Sequence, residues 1–278
     1  MKLHLASMGL LAAALTLTSI PATFAQQNTA GTQGPPRYLF LNNVQLKPQQ
    51  GSAYAKIEKD EVQALSAANA PMRYFGMSAI TGSPNILYIH GFSSFAELQK
   101  DHEATMAMAS LRDKLSADDA SEAPLIAAKH SSIYRFDKDL SLRPDADIAK
   151  MRFMRIVLFR VRRGHDQDFE HTVKLFAKAY ETAIPEANWA MFEKIFGEGS
   201  DNIYILVTPM ESLANVDDMH AGGKKFEASI GPDQLQMLRE QISKDVKSSQ
   251  TDLFALDPGI SYPPAAWVKA SPDFWGKK

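Results

Sequence analysis

The pentapeptide GSPNI at residues 82–86 returns as GSDNI at residues 199–203, 117 positions further along the chain. Two other pairs keep nearly the same separation, 115 and 118 positions: Tyr54 with Phe169, and His102 with His220. A drift of three residues over a whole unit indicates a duplicated domain with small insertions. Because a period above one hundred residues is too long for a solenoid repeat, we infer one small domain that was copied and fused.

Each copy shows the same order of strand and helix signals. Runs rich in aliphatic and aromatic residues predict four strands a copy, at residues 37–46, 72–80, 86–92 and 130–136 and again at 152–161, 189–196, 203–208 and 251–256. Phe169, Val173 and Phe176 mark one face of a first helix, and a second helix is expected from about Ser94 and Glu211. The order βαββαβ is that of the ferredoxin-like unit. Helices cover one face of such a sheet, so we expect the copies to pack sheet against sheet.

Residues 1–25 have the features of a signal peptide. Lys2 and His4 precede an apolar run at residues 8–17, and residues 23–25, TFA, offer small side chains where a signal peptidase reads. A membrane anchor is the alternative, but the run is shorter than the roughly 20 residues that a spanning helix needs. We therefore predict cleavage after this segment, a periplasmic or secreted protein, and no transmembrane segment after signal removal.

Composition divides the rest of the chain into repeats and connecting segments. The predicted segments are a flexible lead-in at 26–36, a first repeat at 37–137, a linker at 138–150, a second repeat at 151–257 and a tail at 258–278. The lead-in is polar and rich in Gly and Pro, and the linker contains Pro144 and several charges. The tail combines prolines with aromatic side chains such as Trp267 and Trp275, which are costly to leave in water. We therefore expect the tail to pack across the body of the protein.

The chain contains no cysteine, which excludes disulfide bonds, thiol catalysis and thiolate metal sites. Its formal net charge of −2 gives no electrostatic reason to expect nucleic acid or an acidic membrane as a partner. The histidines do not have the spacing of a ligand set such as HExxH, so no metal is predicted. A small-molecule ligand is the partner that remains compatible with this composition.

Several short motifs resemble the dimeric α+β barrel superfamily, whose best-known branch is the antibiotic biosynthesis monooxygenase-like domains. The motifs are LKPQQG at 46–51, VRRGHD at 161–166, GSDNIYIL at 199–206, SSFAELQKDH at 93–102 and MESLANVDDMH at 210–220. The resemblance covers both copies and implies an α+β protein in which tandem ferredoxin-like (βαββαβ) units form an intramolecular dimeric α+β barrel. The superfamily includes cofactor-independent oxygenases, haem-degrading and chlorite-converting enzymes, isomerases and members without known activity, and the fold does not choose among them.

Haem-degrading members of the superfamily combine a first-strand Asn, a Trp after the third strand and a His on the second helix. Asn43 matches the first of these. The Trp position holds Phe92 and Met210, and the His position falls near Leu111 and Ser229. This departure argues against haem degradation, and we predict no bound cofactor.

Two histidines are candidate ligand-binding residues because duplication has kept both of them. His102 and His220 occupy matching positions in the second helical region of each copy. A histidine in a pocket can exchange a proton near neutral pH. The alternative is that each one holds its helix against the sheet edge or a loop.

Asn43 and His90 are two further candidates, and they occur in the first copy alone. We align Asn43 with Leu158 in the second copy, and the strand alignment places His90 opposite Val207. Polar groups within apolar strands are costly unless they are paired or lie in a pocket. The first copy is therefore the expected site, with backbone hydrogen bonds from neighbouring residues as the alternative explanation.

Two functions fit these features. The first is an exported small-molecule-binding or cofactor-independent oxygenase-type protein of the antibiotic biosynthesis monooxygenase-like superfamily, with a pocket between sheet and helices. The second is a non-catalytic binding or structural module of the cell envelope. The sequence identifies no catalytic residue and does not decide whether the protein is an enzyme. Convergence of the four polar candidates on one open pocket favours the first function, and scattered positions favour the second.

Overall fold

The computed structural model describes residues 34–276, which include both repeats and nearly all of the tail. The predicted signal peptide and all but the last three residues of the predicted lead-in lie outside the described residues. Within the described range, no helix is both long enough and apolar enough to cross a membrane.

The strands follow the order that the sequence predicts. Those of the first copy are β1 (Tyr38–Leu46), β2 (Tyr74–Ala79), β3 (Asn85–Phe92) and β4 (Ile126–Leu142). Those of the second copy are β5 (Phe153–Val161), β6 (Trp189–Gly197), β7 (Asn202–Met210) and β8 (Val246–Tyr262). Strands β4 and β8 are each 17 residues long, and they continue into the segments predicted as linker and tail.

The helices lie between these strands and after the last one. They are α1 (Gly51–Ala67), α2 (Phe95–Ala107), α3 (Ala109–Glu122), α4 (Asp166–Ala183), α5 (Ala214–Ile230), α6 (Pro232–Asp245), α7 (Ala265–Ala270) and α8 (Pro272–Trp275). The second helical region of each copy is a pair of helices where the sequence suggested one. In the second copy Gly231, at a φ of 77°, ends α5, and Pro232 begins α6.

Eight strands among the described residues close into one antiparallel barrel in the order β1-β3-β2-β8-β5-β7-β6-β4. Each copy contributes four adjacent strands, and the last strand of each copy pairs with the second strand of the other, β4 with β6 and β8 with β2. The α+β class and the intramolecular barrel of two ferredoxin-like units are therefore confirmed. The two sheets join at their edges, so their inner faces meet inside a closed barrel.

The separation between equivalent residues changes along the unit. The bulge that follows Gln45 in β1 corresponds to the bulge that follows Arg160 in β5, so the separation between equivalent residues is 115 in these two strands. Phe40 of β1 pairs with His90, and its counterpart on β5 is Arg155. Arg155 pairs with Thr208, so the counterpart of His90 is Thr208 and the alignment with Val207 is wrong by one residue. Because side chains alternate between the faces of a strand, a one-residue error compares side chains on opposite faces.

The barrel interior holds the largest hydrophobic core. Leu39 and Leu41 of β1 point into it, whereas Val44 and Leu46 pack outward beneath α1. This alternation follows from the two-residue period of a strand. Helices therefore cover the outer faces of the sheet, and the inner faces of the two copies bury each other.

The two copies meet at two seams, the pairing of β4 with β6 and the pairing of β2 with β8. Each seam contains the same bulge. Ser141 Oγ donates a hydrogen bond to Asp137 O at 2.5 Å and accepts one from Met191 N at 2.9 Å across the β4–β6 seam. At the β2–β8 seam the same roles and distances belong to Ser261, Asp257 and Gly76. These bulges explain why β4 and β8 extend beyond their predicted ends, because the seam needs residues from both extensions.

The tail packs across the barrel, as its aromatic composition predicts. Trp275 has no exposed surface, and its indole Nε1 donates to Ala149 O at 2.8 Å. Arg152 Nη2 donates to Ser271 Oγ at 2.7 Å, and the Arg152 guanidinium lies 4.0 Å from the ring centre of Phe274. The tail is therefore fixed to the segment that connects the two copies.

Candidate functional site

A cavity of about 250 Å³ opens at one end of the barrel interior. Its walls are equivalent residues from the two copies, in three pairs: Leu39 with Met154, Ile89 with Val207, and Phe75 with Ala190. The third pair is unequal in size, and the small Ala190 leaves room opposite Phe75. The cavity therefore lies inside the barrel, whereas the sequence suggested a pocket between sheet and helices.

The segments outside the strands form a roof over this cavity. Pro36 from the lead-in, Ile148 from the linker and Trp267 from the tail all line it. Gly91 lets the lead-in cross β3, because a Cβ at that position would lie 2.7 Å from Cγ of Pro36. The Trp267 ring centre lies 5.6 Å from that of Phe75, so the roof packs directly on the wall.

Two residues with charged side chains, Arg73 and Asp147, also belong to the lining of the cavity. Arg73 donates to Asn69 Oδ1 at 3.0 Å, and its guanidinium lies 3.9 Å from the ring centre of Tyr262. Burial raises the pKa of the Tyr262 phenol, and the charge of Arg73 partly offsets this effect. Lys150 lies 3.3 Å from Asp147. The cavity is therefore a mainly apolar space with two charged residues in its lining, a composition that small-molecule sites share.

His90 supports the cavity wall from behind. Its Nδ1 lies 2.6 Å from Arg73 O, and since a carbonyl oxygen only accepts, this nitrogen must carry the proton that is donated. Nε2 of His90 is buried and has no hydrogen-bond partner within the described part of the chain. The side chain faces the outside of the barrel, stacked near Phe92, so it positions Arg73 without entering the cavity.

The other three sequence candidates do not approach the cavity. Asn43 is exposed on β1, where its neighbours across the sheet are Leu87 and His130. His102 on α2 and His220 on α5 are both exposed. The four polar residues are therefore scattered, and only His90 is connected to the cavity, through Arg73.

One group of potential metal ligands occurs among the described residues. Suitable atoms of His165, Asp168 and Asp245 lie within 4.8 Å of one another. His165 Nδ1 is 3.1 Å from Asp245 Oδ1, and the fully buried Asp245 carboxylate also accepts from Gln241. These contacts satisfy the buried carboxylate, so we interpret the group as an anchor between the start of α4 and the end of α6.

The three candidate histidines, His90, His102 and His220, differ in their expected contribution to stability. We expect His90→Ala to lower the free energy of unfolding by about 1–3 kcal/mol, because it leaves the partly buried Arg73 carbonyl without its donor. His102→Ala and His220→Ala should each change it by less than about 0.5 kcal/mol, since both side chains are exposed. Urea denaturation of the three variants measures these values. A large loss at His102 or His220 would contradict their placement on the surface.

The residues that form the cavity carry no sequence signal of a binding site. Its wall residues are ordinary core side chains in the sequence, and Arg73 and Asp147 lie in connecting segments without a motif. The signal that could have indicated the site is the Pro- and aromatic-rich tail, since Pro264 and Trp267 belong to the roof.

No protein family model matches the chain, and no curated protein matches it in sequence. Solved structures do resemble it. A candidate monooxygenase from Fusobacterium nucleatum superposes with a TM-score of 0.52 at 11% identity, covering 80% of this chain and 93% of that one. A candidate monooxygenase from Lactobacillus acidophilus gives a TM-score of 0.44 at 11% identity, with coverage of 81% and 94%. A mutant chlorite dismutase from Candidatus Nitrospira defluvii gives 0.44 at 8% identity, with coverage of 81% and 92%. The first of these likenesses, together with the closed eight-strand barrel, shows that the chain has the dimeric α+β barrel fold, with both halves of the barrel in one polypeptide.

Proposed function

We propose that the protein binds a small, largely apolar ligand in the cavity at the roofed end of the barrel. The observation that carries this proposal is the cavity itself, about 250 Å³ in volume and enclosed by both copies and three connecting segments. An apolar cavity of about 150 Å³ is enough to hold benzene. The ligand class is therefore a compound of one or two rings whose polar end faces Arg73 and Asp147.

Oxygenation of that ligand without a cofactor is the catalytic form of this proposal. Its support is the fold shared with the candidate monooxygenase from Fusobacterium nucleatum, which is a likeness of fold alone. Oxygen uptake on addition of a bound compound, measured with a Clark electrode, tests it. If a bound compound is recovered unchanged and no oxygen is taken up, the protein binds the compound without oxygenating it.

A non-catalytic structural module of the cell envelope is the second candidate function. The observation that favours it is the scatter of the polar candidates, together with the partners that Arg73 and Asp147 already have. Native mass spectrometry of the protein purified from its host distinguishes the two functions. A retained small molecule supports the binding protein, and an empty barrel that binds none of the aromatic probes below supports the module.

We also propose that the protein is exported. The support is the apolar run and the small residues within residues 1–25, which predict a cleaved signal peptide. Fractionation of the host, with mass spectrometry of the mature N-terminus, measures this directly. A cytoplasmic protein that retains residues 1–25 would contradict export.

Filling the cavity should weaken ligand binding. Ala190→Phe introduces a phenylalanine at the position in the second copy that is equivalent to Phe75 in the first. The barrel already accommodates a phenylalanine at that equivalent position. With indole and 1-naphthol as probes in ligand-observed NMR, we expect binding to weaken by at least about tenfold, or 1.4 kcal/mol. The exposed tail variant Lys269→Ala is the matched control and should bind as the unmodified protein does. Equal binding by Ala190→Phe would show that the probes occupy another place.

A further inference from the structure

The layer between helices and sheet differs in chemistry between the two copies. Four of its positions are polar in the first copy, Tyr54, Glu58, Tyr88 and Glu122, and apolar in the second, Phe169, Val173, Leu206 and Ile242. The separation between counterparts is 115 residues in α1 and α4 and 118 in β3 and β7. It is 120 residues where α3 and α6 lead into β4 and β8. The second copy thus shows that the fold does not require polar side chains at these positions.

The two glutamates of this layer are buried. Glu58 on α1 is 6% exposed and Glu122 on α3 is 3% exposed. Tyr54 donates its hydroxyl hydrogen to Glu58 Oε1 at 2.8 Å, and the Tyr88 hydroxyl donates to that of Tyr54 at 3.3 Å. A buried carboxyl group is costly unless it is paired, so its partners decide its charge.

The carboxyl groups of Glu58 and Glu122 are each other's partners. They are close enough for each to change the pKa of the other, and no donor among the described residues reaches the buried Oε1 of Glu122. Two ionised carboxylates can only accept hydrogen bonds, so a hydrogen bond between these two buried groups requires a proton on one of them. A shared proton is the arrangement that two adjacent carboxyl groups adopt when they cannot both ionise.

The surroundings of the pair contain more acidic groups than basic ones. The titratable and charged groups that face it are Tyr54 and Glu61 on α1, Tyr74 on β2, Tyr88 on β3, Lys114, Asp118 and Asp119 on α3, and Lys129 on β4. Each lysine already pairs with an aspartate, Lys114 with Asp118 at 2.5 Å and Lys129 with Asp119 at 3.6 Å.

Burial raises the pKa of both carboxyl groups of the pair, and for Glu58 the charge of Glu122 raises it further. Burial also raises the pKa of the adjacent Glu61 to about 8. The phenols of Tyr54, Tyr74 and Tyr88 have raised pKa values, again mainly through burial, so they remain protonated donors.

We propose that Glu58 and Glu122 form a shared-proton carboxyl pair that holds α3 against α1, and that loss of the proton releases this contact. The device is confined to the first copy, because Val173 and Ile242 occupy the same positions in the second. The pH response has a definite sign. In the unfolded chain both groups ionise at about 4.3, and in the folded protein they keep a proton to higher pH. The stabilisation is therefore fully present below the unfolded value and is lost as the pH rises through the raised folded values.

The test compares the equilibrium constant for folding at pH 6 and pH 9, measured by urea denaturation of the full chain. We expect it to fall by roughly tenfold to hundredfold in the unmodified protein. In the variant Tyr54→Phe/Glu58→Val/Tyr88→Leu/Glu122→Ile, which reproduces the layer of the second copy, this fall should be clearly smaller, and the part that remains belongs to Glu61. The variant Glu103→Gln, at an exposed position on α2, is the control and should keep the fall.

A single substitution keeps the test decisive if the fourfold variant does not fold. Glu122→Gln retains a donor towards Glu58 without a titrating group, so the fall should shrink and the protection factors of the α3 amides should lose their pH dependence. An equal fall in unmodified protein and Glu122→Gln overturns the proposal. A rise in stability at pH 9 with MgCl₂ or CaCl₂, seen in the unmodified protein and not in Glu122→Gln, overturns it in favour of a cation site.

Discussion

Trp275→Ala is expected to lower the free energy of unfolding by about 3–5 kcal/mol, the usual cost of removing a fully buried Trp side chain. Its ring packs against Trp267 and Phe274, with ring centres 5.5 Å and 4.8 Å away. Its indole also supplies the donor for Ala149 O. Alanine leaves a void in the roof and a carbonyl without a partner, so we expect the tail to detach from the barrel.

Urea denaturation measures the loss. Limited proteolysis reports detachment of the tail, because the segment that follows Pro264 should then be cleaved faster. Trp275→Phe keeps an aromatic ring but removes the N–H donor, so it should give an intermediate loss. Lys269→Ala, on the exposed side of α7, is the control and should stay within about 0.5 kcal/mol. A loss below about 1 kcal/mol for Trp275→Ala would show that the tail contributes little to the folded state.

Replacing both seam serines, Ser141→Ala with Ser261→Ala, is expected to cost about 2–5 kcal/mol. Each hydroxyl joins two backbone groups across a seam, and alanine leaves an amide hydrogen and a carbonyl oxygen without partners. The closed barrel depends on these seams, because they are the places where the sheets of the two copies meet.

The single variants test whether the two seams contribute independently to stability. The seams lie on opposite sides of the barrel, so the losses from Ser141→Ala and Ser261→Ala should add to the loss of the double variant. Ser248→Ala, at an exposed position on β8, removes a hydroxyl from the same strand as Ser261 and should have almost no effect. A double variant no less stable than either single variant would mean that one open seam already removes the contribution of the other.

The duplication and the order of elements could be predicted because their signals are local. Turn residues such as Gly82 and Gly199, both at positive φ, and the apolar periods of strands and helices recur in each copy. The pairing of β4 with β6 and of β8 with β2 is set by contacts between distant residues. The two Asp-to-Ser spacings, from 137 to 141 and from 257 to 261, could have indicated it, since both end at a seam.

The alignment of His90 was wrong for a physical reason. The GSPNI and GSDNI segments match through a turn, where loop geometry controls the residues, whereas in β3 and β7 the pairing with β1 and β5 controls them. The equivalence therefore shifts by one residue between turn and strand. A sequence match cannot show such a shift, because the residues Ile86 and Ile203 are identical although one packs beneath α1 and the other inside the barrel.

The site could not be predicted from polar residues because its walls are apolar. His102 and His220 recur in both copies, yet an exposed helix position places no demand on the side chain. The cavity depends on the size difference between Phe75 and Ala190 and on a roof from segments that belong to neither repeat. These features depend on how distant segments pack together in the closed barrel, and no single stretch of sequence contains them.

Fusion of the copies has a consequence for how a ligand is oriented. Neighbouring strands are all antiparallel, so β1 and β5, four steps apart, run in the same direction, and the pseudo-two-fold axis runs along the barrel. A homodimer repeats every residue about such an axis, so an axial ligand would meet identical surroundings on both sides. Here Pro36, Ile148 and Trp267 occur once over the cavity, and Ala190 faces Phe75. A ligand without two-fold symmetry would therefore have one preferred orientation instead of two equal ones.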